Sequence, residues 1–232
     1  MTDTMLTQTA SPASASDEGL GGTSYRRVHK AILADIVNGV YSPGARLKVA
    51  ELSKRYGLSP MPIREALQQL QGEGFVIMSP NRGASVRPID RRFVADIYEV
   101  RSALYTIIYS DAIKGADAAL DEALVAIQKR FDALVERGDI AACHEQNRLL
   151  HATIEALCRN REVANLIARY SNLTSSLRDV FGYNLDRLRQ ISEEHWMIIE
   201  AIRTRDADKA IAAAQHHVRR AFENMSQYIP EN

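Results

Sequence analysis

The sequence predicts a mainly α protein in two parts: a small N-terminal head of short helices followed by one β-hairpin, and a larger antiparallel helical bundle. Three observations carry that expectation. Between residues 25 and 88 the apolar spacing changes from helical to alternating across turns marked by glycine and proline. From residue 91 onward, apolar residues return every three or four positions over several long stretches with no strand pattern between them. Charge divides the same way, because residues 25–88 hold ten Lys or Arg against four acids although the chain as a whole sums to zero.

Composition narrows the class. With 46% hydrophobic and 25% charged residues, the 232-residue chain reads as an ordinary soluble protein. Its apolar runs fall short of the roughly 18 residues needed to cross a bilayer. The opening stretch has neither the basic start nor the apolar core of a secretory signal, so no membrane partner is expected. Rich in Ser, Thr, Ala and Gly, residues 1–24 read as a disordered tail. Cys143 and Cys158 stand alone and without paired spacing, which suits buried thiols in a reducing cytoplasm better than a disulfide framework.

The head, residues 25–88, opens with a helix in which Val28, Ile32, Ile36 and Val37 share one face. Gly39 and the Ser42-Pro43-Gly44 turn end it. A second helix carries Leu52 and Tyr56 and stops at Gly57, a natural left-handed cap. Ser59 then occupies an N-cap position, with Pro62 in the first turn of the next helix. That helix buries Ile63, Ala66, Leu67 and Leu70 and presents Arg64 and Gln68. The β-rich run from Phe75 to Met78, a turn containing Asn81, Arg82 and Gly83, and an alternating run from Ala84 complete a hairpin. Two helices about a tight glycine turn, with a hairpin beside them, form a winged helix-turn-helix whose second helix is shaped for the major groove.

The motifs here resemble the GntR family of bacterial regulators: Ser42-Pro43-Gly44 with Leu47, Glu51-Leu52, Gly57-Leu58-Ser59, Pro62 through Leu67, Gly74-Phe75-Val76, and Arg82-Gly83 with Val86. The resemblance implies an operator-binding transcription regulator. Arg64 would face the major groove, where its guanidinium fork fits guanine O6 and N7, and Gln68 would be a weaker base contact. Lys54, Arg55 and Arg82 would anchor on phosphate, with Ser59 and Gly83 completing the DNA face. Pro60 and Met61 stand where the family usually has an Arg after the cap Ser, so the operator preference is the chain's own.

In the second part, residues 89–232, three histidines fall on inward stripes of different helices. His151 shares its stripe with Asn147, Leu150 and Ile154; His195 with Leu188, Ile191, Ile198 and Ile202; His217 with Ala210, Ala213, Ala214 and Ala221. His216 shares a face with Lys209 and Arg220 and reads as solvated. Three inward imidazoles either meet around a metal or sit as hydrogen-bonded core residues. This part is similar to the FCD effector domain of the FadR subfamily. By that resemblance Asn147, His151, His195 and His217 form the ligand set of a divalent transition metal, with Zn²⁺ or Ni²⁺ suiting imidazole. Many members have Asp where this chain has Asn147, and an amide oxygen holds a dication less strongly. Arg101 also matches a family position and would bind the carboxylate of a small organic acid; an ion pair with Glu99 or a later acid is the alternative.

The expectation is therefore a cytoplasmic homodimer, not an enzyme, that binds duplex DNA and responds to a small carboxylate metabolite. A metal-dependent enzyme fused to a DNA-binding head is the competing class. Glu155 and Glu194 neighbour the ligands in sequence, but neither is obviously placed as a general base.

Overall fold

The computed structural model describes residues 17–229 except 81, 182 and 183. Helix α1 (Asp17–Val37) buries Val28, Ile32, Leu33 and Ile36 on one face. It begins inside the stretch expected to be a tail: residues 17–24 are helical. The remainder of that expectation, residues 1–16, lies outside the described residues.

The head continues with β1 (Arg46–Leu47), α2 (Val49–Tyr56), α3 (Pro60–Glu73), β2 (Val76–Ser79) and β3 (Gly83–Val86). Gly57 takes the expected left-handed cap of α2, at φ 66°. The expected hairpin is present, and β1 adds a third antiparallel strand, giving the order β1-β3-β2 with Arg46 opposite Ser85 and Leu47 opposite Ala84. Gly44 N–H donates to the Val86 carbonyl and Val86 N–H to that of Ala45, both at 2.9 Å. A strand of two residues is too short to show alternation in sequence, so backbone pairing alone reveals it. Leu47 turns into the core and Arg46 turns out.

One capping expectation needs correction. Ser59 has the extended backbone of an N-cap, yet its side chain makes no cap hydrogen bond. With α3 starting at Pro60, Pro62 occupies the third helical position and has no N–H to offer. The Ser59 hydroxyl is left exposed at the helix start.

The bundle comprises α4 (Arg91–Gly115), α5 (Ala118–Arg137), α6 (Ile140–Glu155), α7 (Arg161–Phe181), α8 (Leu185–Arg203) and α9 (Ala207–Ser226). Short connections work because most helices start directly on a side-chain cap. Asp90, Asp117, Asp139, Asn184 and Asp206 each accept a hydrogen bond from the backbone N–H three residues on. Helix α4 packs on α9 and α7, α9 on α8, and α5 on α6 and α8. The inner face of α9 is built from Ala210, Ala213, Ala214 and Ala221, and small side chains let α4 and α8 approach it closely. Among the described residues, no helix is long and apolar enough to cross a membrane.

Head and bundle touch where α1 and the C-terminal end of α3 meet α7. Gly74, the α3 C-cap, has φ +95°, and a Cβ placed there would lie 3.1 Å from Leu173 Cδ1 of α7. Both the backbone angle and the contact therefore ask for glycine. Gly74→Ala is expected to cost about 1–3 kcal/mol, the usual range for a non-glycine residue held in such a conformation. A urea titration followed by circular dichroism checks this, and an unchanged midpoint would contradict it.

Candidate metal centre and DNA-reading face

Arg64 and Gln68 stand on the exposed side of α3, one turn apart. The wing presents Arg82 and Gly83 opposite them, and all four line one cleft of about 300 Å³. Arg46 and Lys48 line the same cleft. They count in the head's positive charge but carry no motif or periodicity, so their position on and just after β1 emerges only from the folded sheet. Asn81, expected at the wing tip, lies outside the described residues. Lys54 is exposed on α2 but does not line the cleft. Arg55 is differently engaged. Its Nε and Nη2 donate to Asp35 Oδ2 at 3.0 and 2.8 Å, and the Tyr56 hydroxyl donates to the same oxygen at 2.7 Å. That cluster ties α2 to α1 and leaves Arg55 fewer donors for phosphate.

In the bundle, α6, α8 and α9 bring His151, His195 and His217 together. Their ring centroids form a near-equilateral triangle with sides of 5.3, 5.0 and 5.2 Å. One ring nitrogen from each lies within 4.8 Å of the others. Asn147 is buried on α6, one turn before His151. His216 is exposed, as its face predicts.

A set of carboxylates and amides behind the rings decides which nitrogens face inward. His195 Nδ1 lies 2.9 Å from Gln128 Oε1, which can only accept, so that nitrogen carries the proton. Gln128 is held in turn: its amide donates to Asp132 at 2.7 Å and to Ser192 at 3.3 Å. His217 Nδ1 lies 2.7 Å from Glu194 Oε2. Glu194 also receives both guanidinium nitrogens of Arg187, at 2.5 and 2.8 Å, and the pair is buried. Burial opposes the Glu194 charge, but the bonds from His217 and Arg187 outweigh it and hold the carboxyl below its ordinary range. Burial first, then the neighbouring rings and guanidinium groups, pushes His151 and His195 well below the usual imidazole value; burial also lowers His217 despite Glu194. Neutral imidazoles with Nδ1 committed outward leave Nε2 as the free donor atom on His195 and His217. On His195 that Nε2 is buried and has no hydrogen-bond partner. The donor set, its protonation and this orphaned nitrogen all fit a bound metal ion.

Arg101 is buried on α4 and makes no ion pair with Glu99 or any other acid among the described residues. Its Nη1 donates to Thr174 Oγ1 of α7 at 3.1 Å and its Nη2 to the Tyr105 hydroxyl at 3.3 Å, while Nε has no partner. Tyr105 donates onward to Glu155 at 3.5 Å. Burial raises the Glu155 carboxyl to about 7. Sequence reasoning undervalued both acids. Glu155 and Glu194 each face inward, Glu194 as the partner of a histidine and Glu155 one turn beyond His151.

A winged helix-turn-helix with a basic cleft, carried on a helical body that encloses a polar centre, is the architecture of a DNA-binding transcription regulator. The comparisons agree. The model described as "Bacterial regulatory proteins, gntR family" matches residues 24–86, and that for the FCD domain matches residues 96–220. The chain belongs to the GntR family of bacterial regulators and carries an FCD domain. Among its relatives, the uncharacterized HTH-type transcriptional regulator YdhC of Bacillus subtilis (strain 168) is 25% identical over 88% of this chain and 90% of its own length. The HTH-type transcriptional repressor GlaR of Escherichia coli (strain K12) is 24% identical over 79% and 87%. Among solved structures, E. coli McbR/YncC superposes with a TM-score of 0.65 at 19% identity, covering 88% of this chain and 97% of that one, a likeness of fold.

Removing Glu194 would strand the buried Arg187 guanidinium. Glu194→Ala is expected to destabilise the protein by about 3–5 kcal/mol, the range for an uncompensated buried charge. Chemical unfolding of the metal-free protein would measure it, and a loss below about 1 kcal/mol would show the pair to be solvent-screened.

Proposed function

We propose that this regulator binds an operator duplex as a homodimer and alters its grip when a small organic acid enters a metal-centred pocket in the FCD domain. The head would comprise residues 25–88 and the sensing domain residues 89–232. The observation that carries the sensor reading is the buried, unpartnered Nε2 of His195, facing two other neutral imidazoles. A buried nitrogen left without a partner costs free energy, and a metal bond removes that cost. Asn147, His151, His195 and His217 would hold a divalent ion, with Zn²⁺ or Ni²⁺ suiting so many imidazoles. When bound, the ion would supply a Lewis-acidic anchor for a carboxylate oxygen. Arg101 would receive the effector's acid group.

On the DNA side, Arg64 would read a guanine edge or grip phosphate, with Gln68 one turn on. Arg82 and Gly83 would enter the neighbouring minor groove or contact phosphate. Arg46 and Lys48, sharing the cleft, would add backbone contacts, as would Lys54 and Ser59 at the rim. The exposed apolar residues Val100, Ala103 and Ile107, on one side of α4, support a dimer interface. Helix α7 supports the coupling of the two domains, since Thr174 meets Arg101 and the adjoining Leu173 meets Gly74 at the end of α3. An effector shifts DNA affinity to the extent that it prefers one arrangement of these contacts over the other.

Two experiments test this. In binding to a selected operator, Arg64→Ala should lose about 1–3 kcal/mol, whereas Arg46→Gln should reduce the salt dependence on random-sequence duplex by about one phosphate contact. Unchanged affinity and slope would remove these residues from the interface. For the sensor, untagged His195→Ala should purify without the metal that the wild type retains, as a folded dimer by sedimentation. Full metal content in the variant would overturn the ligand set.

A further inference from the structure

Met61 has 64% of its surface exposed, the largest fraction for a large hydrophobic side chain among the described residues. A lone exposed apolar side chain is ordinary on a protein surface. The position of this one is what asks for an account. Ile63, Ala66, Leu67 and Leu70 form the buried stripe of α3. Met61 stands on the opposite side of the helix, one turn before Arg64 and Glu65 and two before Gln68, all of them exposed. Arg64 and Gln68 line the DNA-reading cleft, so Met61 continues their row. Pro60 and Pro62, on either side of it, have no backbone N–H to donate. Its own thioether is a weak acceptor at most. The row that faces away from the head is therefore polar along most of its length and apolar at Met61.

Base edges in the major groove are lined by hydrogen-bonding groups, and the one apolar group among them is the C5-methyl of thymine. Resting on the reading above, in which α3 enters the major groove, we propose that Met61 is a specificity-determining residue. It recognises a pyrimidine C5-methyl group in each half-site, beside the base pair or phosphate taken by Arg64. Removal of water from two apolar groups supplies the attraction. The flexible, unbranched methionine side chain settles on such a methyl without exact docking. Unlike a phosphate contact, this one carries sequence information. It also involves no charge, so it favours one sequence without tightening the grip on all of them. Thymine and 5-methylcytosine carry the same group at the same place on the ring.

The test uses the full-length protein and an operator that the wild type selects from random-sequence duplexes. Each thymine of that operator is replaced in turn by deoxyuridine, which removes the methyl and leaves the hydrogen-bonding edges unaltered. At one thymine position in each half-site the wild type is expected to lose about four-fold in affinity, the effect of one buried methyl or methylene group. Met61→Ala should bind the thymine and deoxyuridine duplexes equally. At the same position, 5-methylcytosine is then compared with cytosine. A gain for the wild type there assigns the methyl on either pyrimidine, and no gain assigns thymine alone. A wild type indifferent to every deoxyuridine, or Met61→Ala discriminating as the wild type does, overturns the proposal. Arg64→Ala separates this result from failure of the reading beneath it. If Arg64→Ala is weakened, α3 still reads the operator and only the role of Met61 falls; if it binds as the wild type does, both fall together.

Discussion

The bundle depends on how three imidazoles are kept oriented inside it. Each ring has two nitrogens, and packed side by side away from water they would leave several polar atoms unsatisfied. Gln128 and Glu194 resolve this by taking the outward nitrogens of His195 and His217. Neither could do so alone. Gln128 is fixed by Asp132 and Ser192, and Glu194 by Arg187. The result is a polar network linking α5, α8 and α9 around a ring carried by α6. In a low-dielectric interior a densely paired network of this kind favours one arrangement, because a shift leaves further buried groups unpaired. His195 Nε2, buried and without a partner, faces the other two rings at the point the network surrounds.

Much of this was legible in the sequence, and what was hidden has a common cause. The stripes of His151, His195 and His217 follow from helical period, which is a local property, and so do the recognition helix and the hairpin. Gln128, Arg187 and the roles of Glu155 and Glu194 depend on which helix lies beside which. Gln128 meets His195 across 67 residues of sequence, and no periodicity encodes that. Strand β1 escaped for a related reason: two residues show no alternation, and their partner is supplied by β3. The Ser59 cap failed on a local detail, since the proline that favours the helix start also removes the N–H that a cap would use. Arg55 looked like a surface cation because Asp35, which binds it, is twenty residues away on another helix.

The two functional regions meet through α7, and the geometry of that meeting constrains how one affects the other. Thr174 and Leu173 are adjacent, yet one faces the Arg101 guanidinium and the other faces the head. A change in how Arg101 is satisfied acts directly on the Thr174 hydroxyl, which also bonds back to the α7 backbone at Tyr170. Leu173 Cδ1 lies 3.1 Å from where a Cβ on Gly74 would stand, so α7 and the end of α3 approach closely beside that threonine.

Helix α3 has two ends with different surroundings. Its C-terminal residues Leu70 and Glu73 are buried, whereas Arg64 and Gln68 are exposed toward the cleft. Gly74 and Arg64 are ten residues apart, about 15 Å along a helix that moves as a rigid rod. Because α3 packs on α1, α2 and β2 through Ile63, Ala66, Leu67 and Leu70, a tilt imposed at the Gly74 end would reach the arginine by turning the head as a unit. In the proposed dimer, such a tilt would change the spacing of both reading helices together, and half-site spacing is set by the DNA. The close approach at Gly74, which disfavours any side chain there, is thereby also the place where the bundle could press on the reading helix.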